Sequence, residues 1–212
     1  MEQLRKKIYF ATIPMQPLES LPRIGYRKED KGELFSRPSR FPAIPMIDGS
    51  LRGAEDVKLV TVRTDDDAGR TATNYALFLE ELAELSKELE RELNVGAEII
   101  IPHSENRKKQ ISFLKEICGQ YEQNADVYMD ITYGTKVTST AMFSSLVFAE
   151  KLCGCNIRSV TYGKYAHDGG NCGELYDVRP LYEMAMLINA ANYLEEDQVR
   201  GLLESLWGQN DG

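Results

Sequence analysis

Short apolar runs alternate with longer amphipathic stretches along nearly the whole chain. Five runs read as strands: residues 8–13, 57–62, 97–101, 127–132 and 157–162. Each is enriched in β-branched and aromatic residues over a few positions, which favours strand over helix. Pro14 stops the first run and Pro102 the third. Between them lie helical periods. Residues 73–93 place Tyr75, Phe78, Leu79, Leu82, Leu85 and Leu89 on one face with Glu and Lys opposite, and residues 94–96 supply a stop signal. Ser104 or Asn106 caps a helix running to about Tyr121, with Ile111, Leu114, Ile117 and Cys118 inward. Residues 138–152 are apolar on nearly every side, so that helix is expected to pack centrally. Helices over 181–194 and 198–206 close the chain.

Strands alternating with helices predict a Rossmann-like α/β fold, a mostly parallel sheet with right-handed crossovers and helices on its faces. Residues 174–178 follow the fifth strand too closely for another helical crossover, which predicts an antiparallel edge hairpin. Its connection, 167–171, is dense in turn formers. The exception to the alternation is 14–56. It holds most of the prolines, several basic residues (among them Arg23, Arg27, Lys28, Arg37 and Arg40) and no sustained period. A connection of that length is usually a functional loop or lid. It leaves the first strand at the sheet edge where the 127–132 strand also ends, so its basic residues either close over a ligand or form plain surface. No repeat or second domain is evident, and 1–212 reads as one domain, with 181–212 as its C-terminal helices.

Composition narrows the partners. A net charge of −8 and a pI near 5.0 oppose duplex nucleic acid, whose backbone is bound by clustered Lys and Arg. A small anion is still allowed, because charges beyond a Debye length of about 8 Å are screened. No apolar run approaches the roughly 20 residues that span a bilayer, and the first residues lack the apolar core of a signal peptide; no membrane is expected, and the location expected is cytoplasmic. Cys153 and Cys155 lack the spacing and the second pair of a zinc site. With Cys118 and Cys172 they read as reduced, mostly buried thiols, and neither metal nor cofactor is expected.

In open α/β sheets, ligands bind beyond the carboxyl ends of the strands. Three segments end there: Thr12-Ile13-Pro14, Thr64 with Asp65, Asp66 and Asp67, and Asp130-Ile131-Thr132-Tyr133-Gly134-Thr135-Lys136. The last carries the most chemistry. Gly134 lets backbone approach a ligand, Thr135 and Thr138 open a helix whose free N–H groups favour an anion, and Lys136 adds a point charge suited to phosphate. It is no P-loop, since the opening Gly is missing and no Ser or Thr follows Lys136. Neither GxGxxG nor GxSxG is present. The plainer alternative is a glycine turn with a solvated lysine. The acids at 65–67 read as cap and solvated charge rather than a metal site, and His103 as structural. Tyr128 and Tyr162 read as core before adenine platforms.

The segment from Asp130 to Lys136 resembles the second signature of the CRISPR-associated Rossmann-fold (CARF) sensors, merging its D-[IV]-T-H-G and T-G-G-T-K variants. Tyr133 stands where the family has histidine or glycine. The likeness extends to Tyr162-Gly163, to 174–180 and to Thr64, so it covers most of the chain. It implies a homodimer whose interface pocket binds a cyclic oligoadenylate second messenger of type III CRISPR immunity. Such sensors usually carry a fused effector. No effector motif follows Leu206, so the expectation is a stand-alone domain or the sensor half of a longer protein. That domain is either a metal-independent ring nuclease, leaving 2′,3′-cyclic-phosphate ends, or a sensor acting on a separate effector protein. A Rossmann-like small-molecule enzyme is the third alternative. The resemblance assigns Lys136 as charge stabiliser and Thr135 as phosphate donor. Thr12, Ile13, Thr64, Thr132, Tyr133, Gly134 and Thr138 join them as ligand-binding residues, with Lys164 and His167 reaching the ligand from the loop above.

Overall fold

β1 (Lys7–Thr12) is buried at every position, as an unbroken apolar run should be when both faces of a sheet are covered. In this computed structural model, which describes residues 5–28, 37–53, 55–102, 106–165, 172–191 and 193–208, β1 lies in the interior of a seven-stranded sheet, between β5 and β3. The other strands are β2 (Gly25–Lys28), β3 (Val57–Asp65), β4 (Val95–Pro102), β5 (Asp126–Asp130), β6 (Asn156–Tyr165) and β7 (Cys172–Asp177). Their order is β2-β7-β6-β5-β1-β3-β4. The pairs β1–β3, β1–β5, β3–β4 and β5–β6 are parallel, and β6–β7 is antiparallel. The chain therefore has the Rossmann-like α/β fold with the antiparallel hairpin expected from the pattern, although β2, not β7, forms that edge of the sheet. The reversal between β3 and β5, on either side of β1, is the topological switch point.

The five expected strands are present, and four helices of Met1–Asp177 flank the sheet: α1 (Ala43–Ser50), α2 (Arg70–Glu88), α3 (Arg107–Cys118) and α4 (Lys136–Cys153). The face carrying Tyr9, Ala11 and Leu59 packs against Ile44 and Ile47 of α1 and Phe78, Leu82 and Leu85 of α2. α3 and α4 pack on each other, α3 also meeting β4 and α4 meeting β6. Helix faces differ from expectation where polar groups are put to use. On α2, Asn74 and Glu81 are buried while Leu79 faces out. On α3, Phe113 and Ile117 are buried, and Ile111 and Leu114 are exposed. α4 is not surrounded, as Val147 and Leu152 are exposed.

The segment 14–56 corrects the reading of a structureless loop. It contains a short 3-10 helix (Leu18–Ser20), β2, which forms a second edge by pairing in parallel with β7, and α1. Three of its basic residues are not a lid over phosphates, because they are committed to α2. Arg40 reaches Glu81 at 2.8 Å, Arg37 pairs with Glu84 and Glu88, and Arg23 with Glu84. Arg27 and Lys28 lie exposed on β2.

The chain divides into two compact units, Met1–Asp177 and Val178–Gly212. The second holds α5 (Arg179–Ala191) and α6 (Glu196–Gly208), with Leu187, Leu194, Val199 and Leu203 lining the seam between them. All four cysteines are free, and Cys153 and Cys155 are buried. Among the described residues no helix is long and apolar enough to cross a membrane.

Candidate anion-binding site

The site is built from Asp130 outward. This carboxylate is fully buried at the end of β5. One oxygen accepts from the Thr132 N–H at 3.1 Å and from the Thr132 hydroxyl; the other accepts from the Thr12 hydroxyl at 3.0 Å and the Thr12 N–H at 3.3 Å. The first pair is an Asx turn. It ends the strand at Asp130 rather than at Thr132 as the 127–132 run suggests. Burial pushes the Asp130 carboxyl up to about 6, opposed by the hydrogen bonds from Thr132 and Thr12. The network extends further. Thr12 Oγ1 accepts from the Tyr133 N–H at 2.9 Å, and Thr132 Oγ1 accepts from the Gly163 N–H at 2.8 Å. The ends of β1, β5 and β6 are thereby tied to one turn.

That turn presents backbone. Gly134 has φ +95, and a Cβ there would meet Thr138 Cγ2 at 3.0 Å, so glycine is required by both conformation and space. Thr135 is the N-cap of α4, its hydroxyl accepting from the Thr138 N–H at 3.2 Å and lying 3.1 Å from the Thr138 hydroxyl. The N–H groups of Gly134, Thr135, Lys136 and Val137 have no hydrogen-bond partner among the described residues. Lys136 is exposed and has no ion-pair partner among them either. Consecutive open amides, a helix N-terminus and an adjacent ammonium form an anion cradle.

The remaining expected residues divide by exposure. Thr12 is buried and saturated within the network, so it positions the turn from below. Thr132 and Tyr133 serve the same network, with the Tyr133 ring buried. Ile13 is buried, its N–H donating to the Val62 carbonyl at 2.9 Å. Thr64 is also buried, and its hydroxyl finds no partner among the described residues. Thr138 is buried under Gly134. Lys164 is exposed on β6, paired in register with Glu174 of β7. His167 and His103 lie outside the described residues. Gly134, Thr135 and Lys136 are thus the expected residues that the turn leaves accessible.

Other residues that build the site carry little sequence signal. The Arg40 carbonyl accepts from both the Tyr133 and Tyr165 hydroxyls at 2.8 Å, and those hydroxyls also touch each other. Pro42 packs so close to Gly163 that a Cβ there would lie 2.4 Å from its ring. The approach is held by Glu81, a buried acid on α2 that accepts from the Ser39 hydroxyl at 2.6 Å, the Arg40 N–H at 3.2 Å and the Arg40 guanidinium at 2.8 Å. Residues 39–42 therefore strap over the turn. The one available signal was the D-x-T spacing of Asp130 and Thr132, which marks an Asx turn; the partners across 31 and 93 residues follow only from the fold.

A second helix starts at the same sheet edge. At α2 the Asp66 carboxylate accepts from the Arg70 N–H at 3.1 Å, the Thr71 N–H at 3.1 Å and the Thr71 hydroxyl at 2.9 Å. Slight burial pushes Asp66 up, yet these hydrogen bonds outweigh it and hold the group below the ordinary carboxylate range. The acid at 66 is a cap. Among the described residues no cluster of His, Cys, Asp or Glu could hold a metal ion. No protein-family model matches this sequence, and no curated protein is detectably similar to it.

Proposed function

We propose that the protein binds a phosphate-bearing ligand at the β5–α4 turn, and that this ligand is a cyclic oligoadenylate second messenger of type III CRISPR immunity. The observation that carries the anion part is the run of four unpartnered amides at the start of α4 beside an exposed Lys136. The likeness of the Asp130–Lys136 segment to the CARF signature supplies the ligand class. The buried Asp130 network suits such a role, since donors fixed before the ligand arrives lose little entropy on binding. A ring of even size has a two-fold axis, so a homodimer would offer one cradle to each of two phosphates.

Holding a phosphate also prepares cleavage. If a neighbouring ribose 2′-OH attacks the held phosphorus, a new P–O2′ bond forms and the P–O5′ bond breaks. The 2′-OH proton leaves, the 5′-oxygen gains one, and the product ends in a 2′,3′-cyclic phosphate. Lys136 and the open amides would stabilise the charge on the phosphate oxygens, and the fixed turn would hold attacker and leaving group in line. Binding and turnover use the same donors, so one experiment addresses both. The protein is incubated with cyclic tri-, tetra- and hexa-adenylate, with and without EDTA, and melting temperature and chromatographed products are followed. A melting shift with one ring supports the binding reading. Linear, cyclic-phosphate-ended products that persist in EDTA add the ring-nuclease activity, and a shift without products leaves a sensor for a separate effector. No shift with any ring rejects the ligand.

A further inference from the structure

A cavity of about 250 Å³ lies away from the cradle, on the sheet face that carries α1. Its origin is a step in side-chain size across three strands. Tyr9 of β1 is in register with Tyr128 of β5, and Tyr128 with Ser159 of β6. The two tyrosine rings stack, centroids 4.8 Å apart and planes 18° from parallel. The row then ends abruptly, because Ser159 brings only a hydroxyl, 3.1 Å from that of Thr161. Thr161 in turn donates to Met46 Sδ of α1 at 3.3 Å. The space beside Tyr128 is therefore left by the short Ser159 side chain, floored by hydroxyls and walled by α1.

Charges of both signs surround it. Lys28, at the end of β2, and Arg158 line the cavity against one acid, Asp177. Arg158 is the residue skipped where the β5–β6 register shifts, between the partners Ile157 and Ser159. Such a bulge re-aims a side chain. Arg158 also lies 3.5 Å from Asp126 and keeps about half of its side chain exposed. With Arg158 shared with Asp126, Lys28 is the cation at the rim that no acid of the lining is seen to pair, and beside the Tyr128 wall it suits a flat body carrying one negative group.

We propose that this cavity is a second ligand site, independent of the β5–α4 cradle, for a small planar aromatic anion. The ring extends the Tyr9–Tyr128 stack into the place that Ser159 leaves. A phosphate or carboxylate attached to the ring is held by Lys28 and Arg158, and the Ser159 and Thr161 hydroxyls bond ring heteroatoms or substituents. Two kinds of molecule share this chemistry, a nucleoside monophosphate and an aromatic carboxylate.

Isothermal titration calorimetry on the full chain separates them, with adenosine 5′-monophosphate, nicotinate and inorganic phosphate as probes. One of the two aromatic probes is expected to bind, and which one identifies the head group; inorganic phosphate should not bind. Ser159→Phe places a ring in the gap, and Lys28→Ala removes one of the cations. Each is expected to weaken the aromatic probe about tenfold or more. Ser159→Leu replaces Ser159→Phe if the larger ring prevents folding. Lys136→Ala should leave this binding unchanged, which separates the cavity from the cradle. Failure of both aromatic probes would overturn the proposal. So would equal binding of inorganic phosphate, or binding that survives Ser159→Phe and Lys28→Ala yet is lost in Lys136→Ala.

Discussion

Two helices begin at the same edge of this sheet and are finished differently. α2 starts on a carboxylate: Asp66 takes the Arg70 and Thr71 amides, so the positive end of that helix already has its anion. α4 starts on the neutral Thr135 hydroxyl, which takes only the Thr138 amide and leaves the amides before it open beside Lys136. The acid near α4 is not absent but displaced. Asp130 sits beneath the turn, where it organises donors without neutralising the helix end. Equal backbone chemistry thus gives a closed terminus in one case and a receptive one in the other, and the position of one carboxylate makes the difference.

The largest expected contrast lies between those two acids. Asp130→Ala leaves buried amides and hydroxyls of Thr12 and Thr132 without an acceptor and should lower unfolding free energy by about 3 kcal/mol or more. Asp66→Ala removes a half-buried cap and should lower it by about 1 kcal/mol. Urea denaturation of both variants measures the gap, and equal losses would show that the Asp130 network holds little. A pH titration sharpens the same point. In the folded protein Asp130 binds its proton more tightly than in the unfolded chain, with a value of about 6 against an ordinary 3.8. Between these values the native state holds more protons, so stability contributed below about pH 4 is lost as pH rises through 6, by on the order of 3 kcal/mol. Asp130→Asn should flatten that part of the profile. Asp66, whose value is lowered, acts with the opposite sign, its stabilisation fading as pH falls through the acidic range. The smallest contrast concerns glycines of the two turns. Gly134→Ala meets both a φ of +95 and Thr138, whereas Gly69→Ala meets a φ of +65 and open space. About 2 kcal/mol is expected for the first and about 1 kcal/mol for the second.

How much of this could be read in the chain follows from range. The period of the strands and helices is local, and the α/β order with its antiparallel hairpin was legible from it, though not that another strand covers that hairpin. α1 was not, because Pro45 and Gly49 look like loop residues; yet Pro45 falls in the first turn, where a missing N–H is harmless. β2 was missed because four residues, Gly25–Lys28, carry too little pattern. In the candidate site, Gly134, Thr135 and Lys136 were legible because a strand-to-helix turn is continuous in sequence. The burial of Thr12, Ile13 and Thr64 was not, nor was the strap of Arg40 and Tyr165, which depends on Glu81 being turned inward from α2. The cavity beside Tyr128 rests on the register of three strands and a shift at Arg158, which no single stretch records.

The cradle is tested most directly by titrating cyclic oligoadenylates into the wild-type protein, Lys136→Ala and Asp66→Asn, with affinity read by calorimetry. The expected result is binding of one ring by the wild type, weakened in Lys136→Ala by about 1.5–3 kcal/mol, which is about 10- to 150-fold, and retained in Asp66→Asn. Affinity unchanged in Lys136→Ala, or lost equally in Asp66→Asn, would contradict the assignment of the anion to the open end of α4.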